Sequence, residues 1–288
     1  MNRLVGVLLI IISAATFGSL AIFGRFAYAA GMDTVTLLFL RFSFAALFMA
    51  ALLILRRETW PRGIMLAKLA GMGAIGYVGQ SFSYLSAIKY ASAGLVALLL
   101  YLYPTFVAIL SVIFLKDRLS RRKIIALVLA TLGAGLTANP QGGQWTGVLL
   151  AIASAVIYSV YIVIGAGIMQ QVSAVQSAVI IFASAGMVYG GFTALQGPHW
   201  PTSAGGWWII VGIVIIATVI PVVTFLAGLK RIGPTDASLL STLEPVVTVL
   251  LAVLLLDEKL PVISIIGGAL ILSAVFLLTA RQGQLKTS

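Results

Sequence analysis

The sequence predicts an all-α membrane protein with ten transmembrane helices, arranged as two inverted five-helix repeats. Three observations predict it. The composition is too apolar for water, apolar runs of spanning length recur ten times, and the chain resembles itself at one constant offset.

Of the 288 residues, 61% are hydrophobic and only 9% are charged. The mean hydropathy is +1.14. A soluble domain carries about 25% charged residues, and its surface cannot be built from so few. The bilayer is the solvent that fits. The formal net charge of +11 does not point to nucleic acid, because the basic residues sit in short segments between apolar runs rather than in a stripe. There are no cysteines, which excludes disulfides, thiolate metal sites and a cysteine nucleophile. Asn2 and Arg3 lead straight into an apolar run too long for a signal-peptide core, so the first run is expected to be a retained helix.

The runs cover about 4–29, 35–55, 66–88, 93–115, 122–139, 146–168, 174–196, 206–229, 236–256 and 262–280. At the helical rise, each reaches roughly 28–39 Å, enough to cross with some tilt. Breakers separate them, among them "RRETWPRG" at 56–63, "NPQGGQ" at 139–144 and "QGPHWP" at 196–201.

The repeat is read at an offset of 141: "GVLLIIISA" (Gly6–Ala14) answers to "GVLLAIASA" (Gly147–Ala155). "IKYASAGLVALLLYLYP" (Ile88–Pro104) answers to "LKRIGPTDASLLSTLEP" (Leu229–Pro245) at the same offset. The units are 1–141 and 142–288. Five helices is an odd number, so the second unit enters from the opposite side. The charges agree. The 116–123 loop "KDRLSRRK" carries a net +4, whereas its counterpart "DEKLPVIS" at 257–264 carries −1. The side holding both termini has 14 Lys/Arg (Arg3, Arg56, Arg57, Arg62, Lys68, five in 116–123, Lys230, Arg231, Arg281, Lys286). The other side has three: Arg25, Lys89 and Lys259. Both termini are therefore expected in the cytoplasm. All five tryptophans fall at run ends, as an interfacial belt requires.

Inverted repeats are a transporter architecture. They set a binding site at the midplane and allow opening to either side by exchange of the two halves' conformations.

The fourth run of each half carries a mid-helix proline and an acidic–basic exit loop, "YPTFVAILSVIFLKDRL" (Tyr103–Leu119) and "EPVVTVLLAVLLLDEKL" (Glu244–Leu260). With the doubled unit, these stretches resemble the drug/metabolite transporter superfamily, in particular its ten-helix EamA-type exporters. The resemblance covers essentially the whole chain. The intramembrane aromatics are similar to those of YddG-type aromatic amino-acid exporters. The resemblance implies a bacterial inner-membrane protein that moves small metabolites outward.

Glu244 and Pro245 stand together near the middle of the ninth run. A charged carboxylate at the bilayer centre costs about 2.5–3.5 kcal/mol, so it must face the bundle interior or a wet cavity, or be protonated. Pro245 leaves the Ser241 carbonyl without its helical partner. Ser241, Glu244 and Thr248 share one face, on which Ser241 and Glu244 are candidate substrate contacts and the serine and threonine hydroxyls complete an amine site. Three readings stay open for Glu244: contact with a substrate ammonium, proton carriage, or a fold-determining kink. Arg41, inside the second run, is read as a structural charge bonded to backbone carbonyls, with a substrate carboxylate as the alternative. The repeat sets Tyr103 against Glu244 and Phe182 against Arg41, so one half holds the cation and the other the anion.

Tyr77, Gln80, Ser81 and Tyr84 line one face of the third run, joined by Tyr158 and Tyr161 and by Tyr101 or Tyr103. Tyrosine hydroxyls in hydrocarbon need partners, and a shared substrate cavity supplies them, as does plain interhelical packing. Pro104, Pro221 and Pro245 are candidate hinges. His199, the single histidine, reads as a solvated loop residue.

No nucleophile–base set, metal motif or nucleotide loop is present, so an enzyme and an ATP-driven pump are excluded. The expectation is a secondary transporter without cofactor, metal or nucleic-acid partner. It works as a monomer in the lipid bilayer and exports small molecules, most of all amino acids including aromatic ones. Export of lipophilic drugs or other metabolites is the alternative.

Overall fold

The structure is a computed structural model that describes residues 2–91, 96, 99–100, 102–116, 119–137, 145–168, 170–256 and 262–279. Tyr101, the 257–261 loop, Arg281 and Lys286 lie outside these residues. The described residues form ten helical spans and no strand. In order these are α1 (Asn2–Phe17 and Leu20–Ala29), α2 (Thr34–Leu55) and α3 (Gly63–Gly71, a π-helical turn Met72–Tyr77, and Val78–Tyr90). Then come α4 (described over Tyr103–Leu115), α5 (Arg121–Thr137), α6 (Trp145–Ile168) and α7 (Ala174–Gln196). Last are α8 (Ala204–Val214, a π-helical turn Ile215–Val219, and Ile220–Ile232), α9 (Pro234–Leu240, a 3₁₀ turn Ser241–Leu243, and Glu244–Leu256) and α10 (Val262–Thr279).

Among the described residues, six spans are long and apolar enough to cross a membrane on their own: α1, α2, α6, α7, α8 and α9. α3 has the length but carries Lys68, Gln80, Ser81, Ser83, Ser86 and Lys89, and it buries its polar face against its neighbours. Helix starts are satisfied locally. The Asp33 carboxylate accepts from the Thr36 N–H at 2.9 Å, and Ser173 forms a reciprocal capping box with Gln176. All five tryptophans are exposed near helix ends.

Packing follows the repeat. α2 lies along its counterpart α7, and α5 along its counterpart α10. The pair α1–α8 answers to the pair α6–α3. One continuous core joins the halves, with Phe42, Tyr77, Phe182 and Tyr189 in it. Close approach explains particular glycines. A Cβ on Gly73 of α3 would sit 2.4 Å from the Ile181 carbonyl oxygen of α7, so no larger residue fits there.

Two features depart from ten uniform rods. α1 breaks at Gly18–Ser19, where α9 presses on it. A Cβ on Gly18 would lie 2.8 Å from Val247 and 2.9 Å from the Glu244 carbonyl oxygen. The other departure is the pair of π-helical turns in α3 and α8. Residues 215–219 map onto 74–78 at the repeat offset, so the rarest helix type recurs at equivalent places in both units.

By helix parity, the bundle end carrying Asn2 also carries the 56–62 and 170–173 loops; this is called the N-terminal side below. There Asp236 is buried between two cations, 2.6 Å from Arg3 Nη2 and 3.1 Å from Lys123 Nζ. The cluster ties α1, α5 and α9 together.

Candidate functional site

The proline in α9 acts locally as its chemistry requires. Pro245 has no N–H for the Ser241 carbonyl. The Glu244 N–H turns back to that carbonyl instead, closing a 3₁₀ turn. The break leaves Glu244 as the first residue of the second helical segment, half-buried beside a small cavity. In α4, Pro104 sits at the corresponding place, second in the segment that starts at Tyr103.

α8 uses its proline differently. Pro221 frees the Ala217 carbonyl, four residues back, and Arg41 from α2 donates to it through Nη2 at 3.4 Å. Arg41 Nε donates to the Thr218 hydroxyl at 2.7 Å, and that hydroxyl donates to the Ile213 carbonyl at 2.8 Å. Arg41 is only 2% exposed. It holds the π-helical turn of α8 from the neighbouring helix, and its guanidinium carbon stands 4.9 Å over the Phe42 ring. Thr218 was not singled out by the sequence, because nothing local marks it.

The cavity is bounded by Arg41, Tyr77, Gln80, Ser81, Tyr84, Tyr158 and Glu244, with Phe17, Leu20 and Leu100. Six residues named from the sequence as substrate contacts therefore meet in one place, and Arg41 meets them there. Its volume is about 30 Å³, room for about two waters in this conformation. Among the described residues no ion pair joins Arg41 to Glu244. The cavity thus has a cation and an anion that do not neutralise each other directly. Among the described residues there is no group of three His, Asp or Glu side chains able to hold a metal.

The remaining named residues lie around this cavity. Tyr103 packs edge-on to Tyr158 with ring centroids 4.9 Å apart, and its hydroxyl donates to the Ser238 carbonyl at 3.4 Å. Tyr161 stacks against Tyr77 at 5.4 Å and Tyr158 at 6.0 Å, behind the cavity wall. The Ser241 hydroxyl donates to the Ala237 carbonyl at 2.9 Å, and Thr248 donates to the Gly18 carbonyl at 2.9 Å. Their protons go to the breaks in α9 and α1, and of that helix face only Glu244 borders the cavity. Tyr101 lies outside the described residues. His199 is exposed, 3.9 Å from the Asp33 carboxylate.

Tyr189 of α7 was missed. Its hydroxyl donates to the Val78 carbonyl at 2.8 Å, lies 3.2 Å from the Ser81 hydroxyl, and its ring stacks on Phe42 at 5.8 Å. The signal existed. Phe182 and Tyr189 are seven apart, the spacing that marked Tyr77 and Tyr84.

A second, larger space opens between α3 and α6 in the half nearer the N-terminal side. This cleft of about 620 Å³ is lined by Lys68, Gly71, Met72, Ile75, Gly76, Val156, Ile157, Val160, Tyr161, Ile164 and Ile168. Tyr161 forms one wall of the cleft and stacks on the tyrosines that bound the central cavity.

Known proteins agree with this architecture. An "Uncharacterized transporter" of Archaeoglobus fulgidus is 28% identical over 270 residues, which covers 93% of this chain and 94% of that protein. The "Uncharacterized transporter YcbK" of Bacillus subtilis is 25% identical over 276 residues, covering 91% and 88%. A solved crystal structure shares the fold with a TM-score of 0.82 at 23% identity, covering 99% of this chain and 100% of that one. The model of the EamA-like transporter family matches twice, at residues 4–139 and 145–280. Two matches of one family model, over two packed copies of a five-helix unit, place this chain in the EamA-like transporter family.

Proposed function

We propose that this transporter exports small zwitterionic metabolites, amino acids including aromatic ones, across a bacterial inner membrane with both termini in the cytoplasm. The observation that carries the reading is the placing of Arg41 and Glu244 on one tyrosine-lined cavity without an ion pair between them. An α-amino acid offers an ammonium and a carboxylate, and its side chain finds ring faces at Tyr77, Tyr84 and Tyr158. Glu244 meets the ammonium. Arg41 is held by Thr218 and Ala217 and acts first as a structural charge; it leaves the guanidinium's other N–H groups for a carboxylate. Transport proceeds by alternating access, with the central cavity enlarging as the halves exchange conformations. The cytoplasmic placement of the termini rests on the excess of Lys and Arg on their side.

The test is uptake by purified protein in liposomes, with a panel of labelled amino acids, with and without a pH gradient. Saturable flux of phenylalanine or tryptophan, competed by other amino acids, is the expected result. Flux competed only by cationic dyes would sink the reading in favour of lipophilic drug export, which the apolar lining of the α3–α6 cleft supports.

A further inference from the structure

The two repeat-related helix pairs, α1–α8 and α6–α3, make the same contacts at two levels and differ at a third. At the first level, a Cβ on Gly6 would meet Ile232 at 2.6 Å, and a Cβ on Gly147 would meet Ala91 at 2.7 Å. Gly6 maps onto Gly147, and Ala91 onto Ile232, at the offset of 141. At the second, the Ser13 hydroxyl donates to the Pro221 carbonyl at 2.8 Å, and the Ser154 hydroxyl donates to the Gln80 carbonyl at 3.1 Å. These four residues are repeat counterparts as well. Each pair is therefore clamped at one end and pinned at mid-height in the same manner.

At the third level the symmetry breaks. In α1–α8 the Phe23 ring packs close to Gly212, where a Cβ would come within 2.6 Å of it. The counterparts are Ile164 and Gly71. A Cβ on Gly71 would find nothing within 4 Å, and Ile164 is 50% exposed. The 620 Å³ cleft occupies the space where that contact would be.

We propose that Phe23 on Gly212 and Ile164 on Gly71 are alternate plugs of one transport cycle. The first seals the side opposite the N-terminus while the α3–α6 cleft is open; the second closes the cleft when the first lets go. The cleft is then the mouth through which a solute reaches the Tyr161–Tyr77 wall and the cavity behind it. Glycine is required at both seats because the approach of an apolar side chain to bare backbone is what makes the seal. The π-helical turn of α3 starts beside Gly71 and that of α8 shortly after Gly212, and long helices kink at such turns. The four are positioning residues that set which side is open. The inference rests on the alternating access proposed above but not on the nature of the substrate.

The test exploits the absence of native cysteines. Gly76→Cys introduces one thiol into the cleft, where its Cβ is 3.4 Å from Tyr161, an ordinary contact. Its labelling rate by a membrane-impermeant maleimide, applied from the N-terminal side, reads the open-cleft population. Phe23→Ala removes a contact made only in this conformation and should slow labelling about threefold to tenfold. Ile164→Ala removes a contact made only in the other conformation and should raise labelling or leave it at its ceiling. Gly71→Val blocks the seat, so labelling should stay high. The double variant Phe23→Ala with Ile164→Ala should return toward the parent rate, because the two effects oppose. Partial unfolding exposes the thiol and raises labelling, so a melting curve of each variant is taken beside its labelling rate to identify it. Equal changes of one sign for Phe23→Ala and Ile164→Ala, or no change in either, would overturn the proposal. These readings need no substrate, so they stand or fall separately from the amino-acid assignment.

Discussion

Arg41 donates a hydrogen bond to Thr218, 177 residues away, across the interface between the two repeats. The bond answers a local deficit, since Pro221 leaves the Ala217 carbonyl open in the same turn and the second arm of the guanidinium covers it. A cation inside the membrane is thereby tied to a proline in the other half.

The tie predicts coupling. Arg41→Met should lower stability, because it strands a buried carbonyl at a cost of about 1–3 kcal/mol. Pro221→Ala restores an N–H for Ala217. In that background Arg41→Met should cost less, with a coupling of about 0.5–3 kcal/mol in a double-mutant cycle. The measurement is unfolding in detergent for the four proteins. Strict additivity would show that Arg41 does not serve the proline-freed carbonyl.

Glu244→Gln separates three roles for the carboxylate. It keeps shape and hydrogen bonding and removes charge. If Glu244 meets the substrate ammonium, a charge-assisted bond of about 1.5–3 kcal/mol is lost, and affinity falls roughly 10- to 150-fold. If it carries a proton, substrate counterflow persists and the response to a pH gradient disappears. If it serves only the kink, both fluxes stay near normal and thermal stability drops. The first outcome is expected, and counterflow beside gradient-driven flux on one preparation decides.

The tyrosines divide by position. Tyr158 borders the cavity, whereas Tyr103 supports it from behind through a centroid distance of 4.9 Å. Ring–ring contact with an aromatic ligand is worth about 0.5–1.5 kcal/mol, so Tyr158→Ala should weaken phenylalanine binding up to about tenfold and alanine binding little. Tyr84→Ala should behave alike. Equal losses for both ligands, matched by lower expression, would show packing instead of recognition.

Orientation has a direct check. Single cysteines at Ser120 and Pro261 should label from opposite sides of the membrane, Ser120 from the cytoplasm. Ser120 is exposed; Pro261 lies outside the described residues. Labelling of both from one side would end the inverted arrangement.

Much of the candidate site is legible in the sequence. Tyr77, Gln80, Ser81 and Tyr84 were grouped because residues three, four and seven apart share a helix face, and backbone geometry guarantees that. Glu244 and Arg41 stood out because hydrocarbon makes any charge conspicuous. What stayed hidden depends on partners. Thr218 is one threonine among many until Arg41 reaches it. That the Ser241 and Thr248 hydroxyls turn their protons to the Ala237 and Gly18 carbonyls, and stand off the cavity that Glu244 borders, is not legible in their spacing.

The sequence by itself determined the solvent, the span count and the doubled unit. These follow from transfer energies and from self-similarity along the chain, which need no knowledge of neighbours. Only the tertiary structure decided which of two equivalent contacts is made. Phe23 with Gly212 and Ile164 with Gly71 are near-matched pairs in sequence, yet one is closed and the other open. No local rule separates them. Each contact depends on how closely two helices approach, and that distance is set by the whole packed bundle rather than by the residues at the seat.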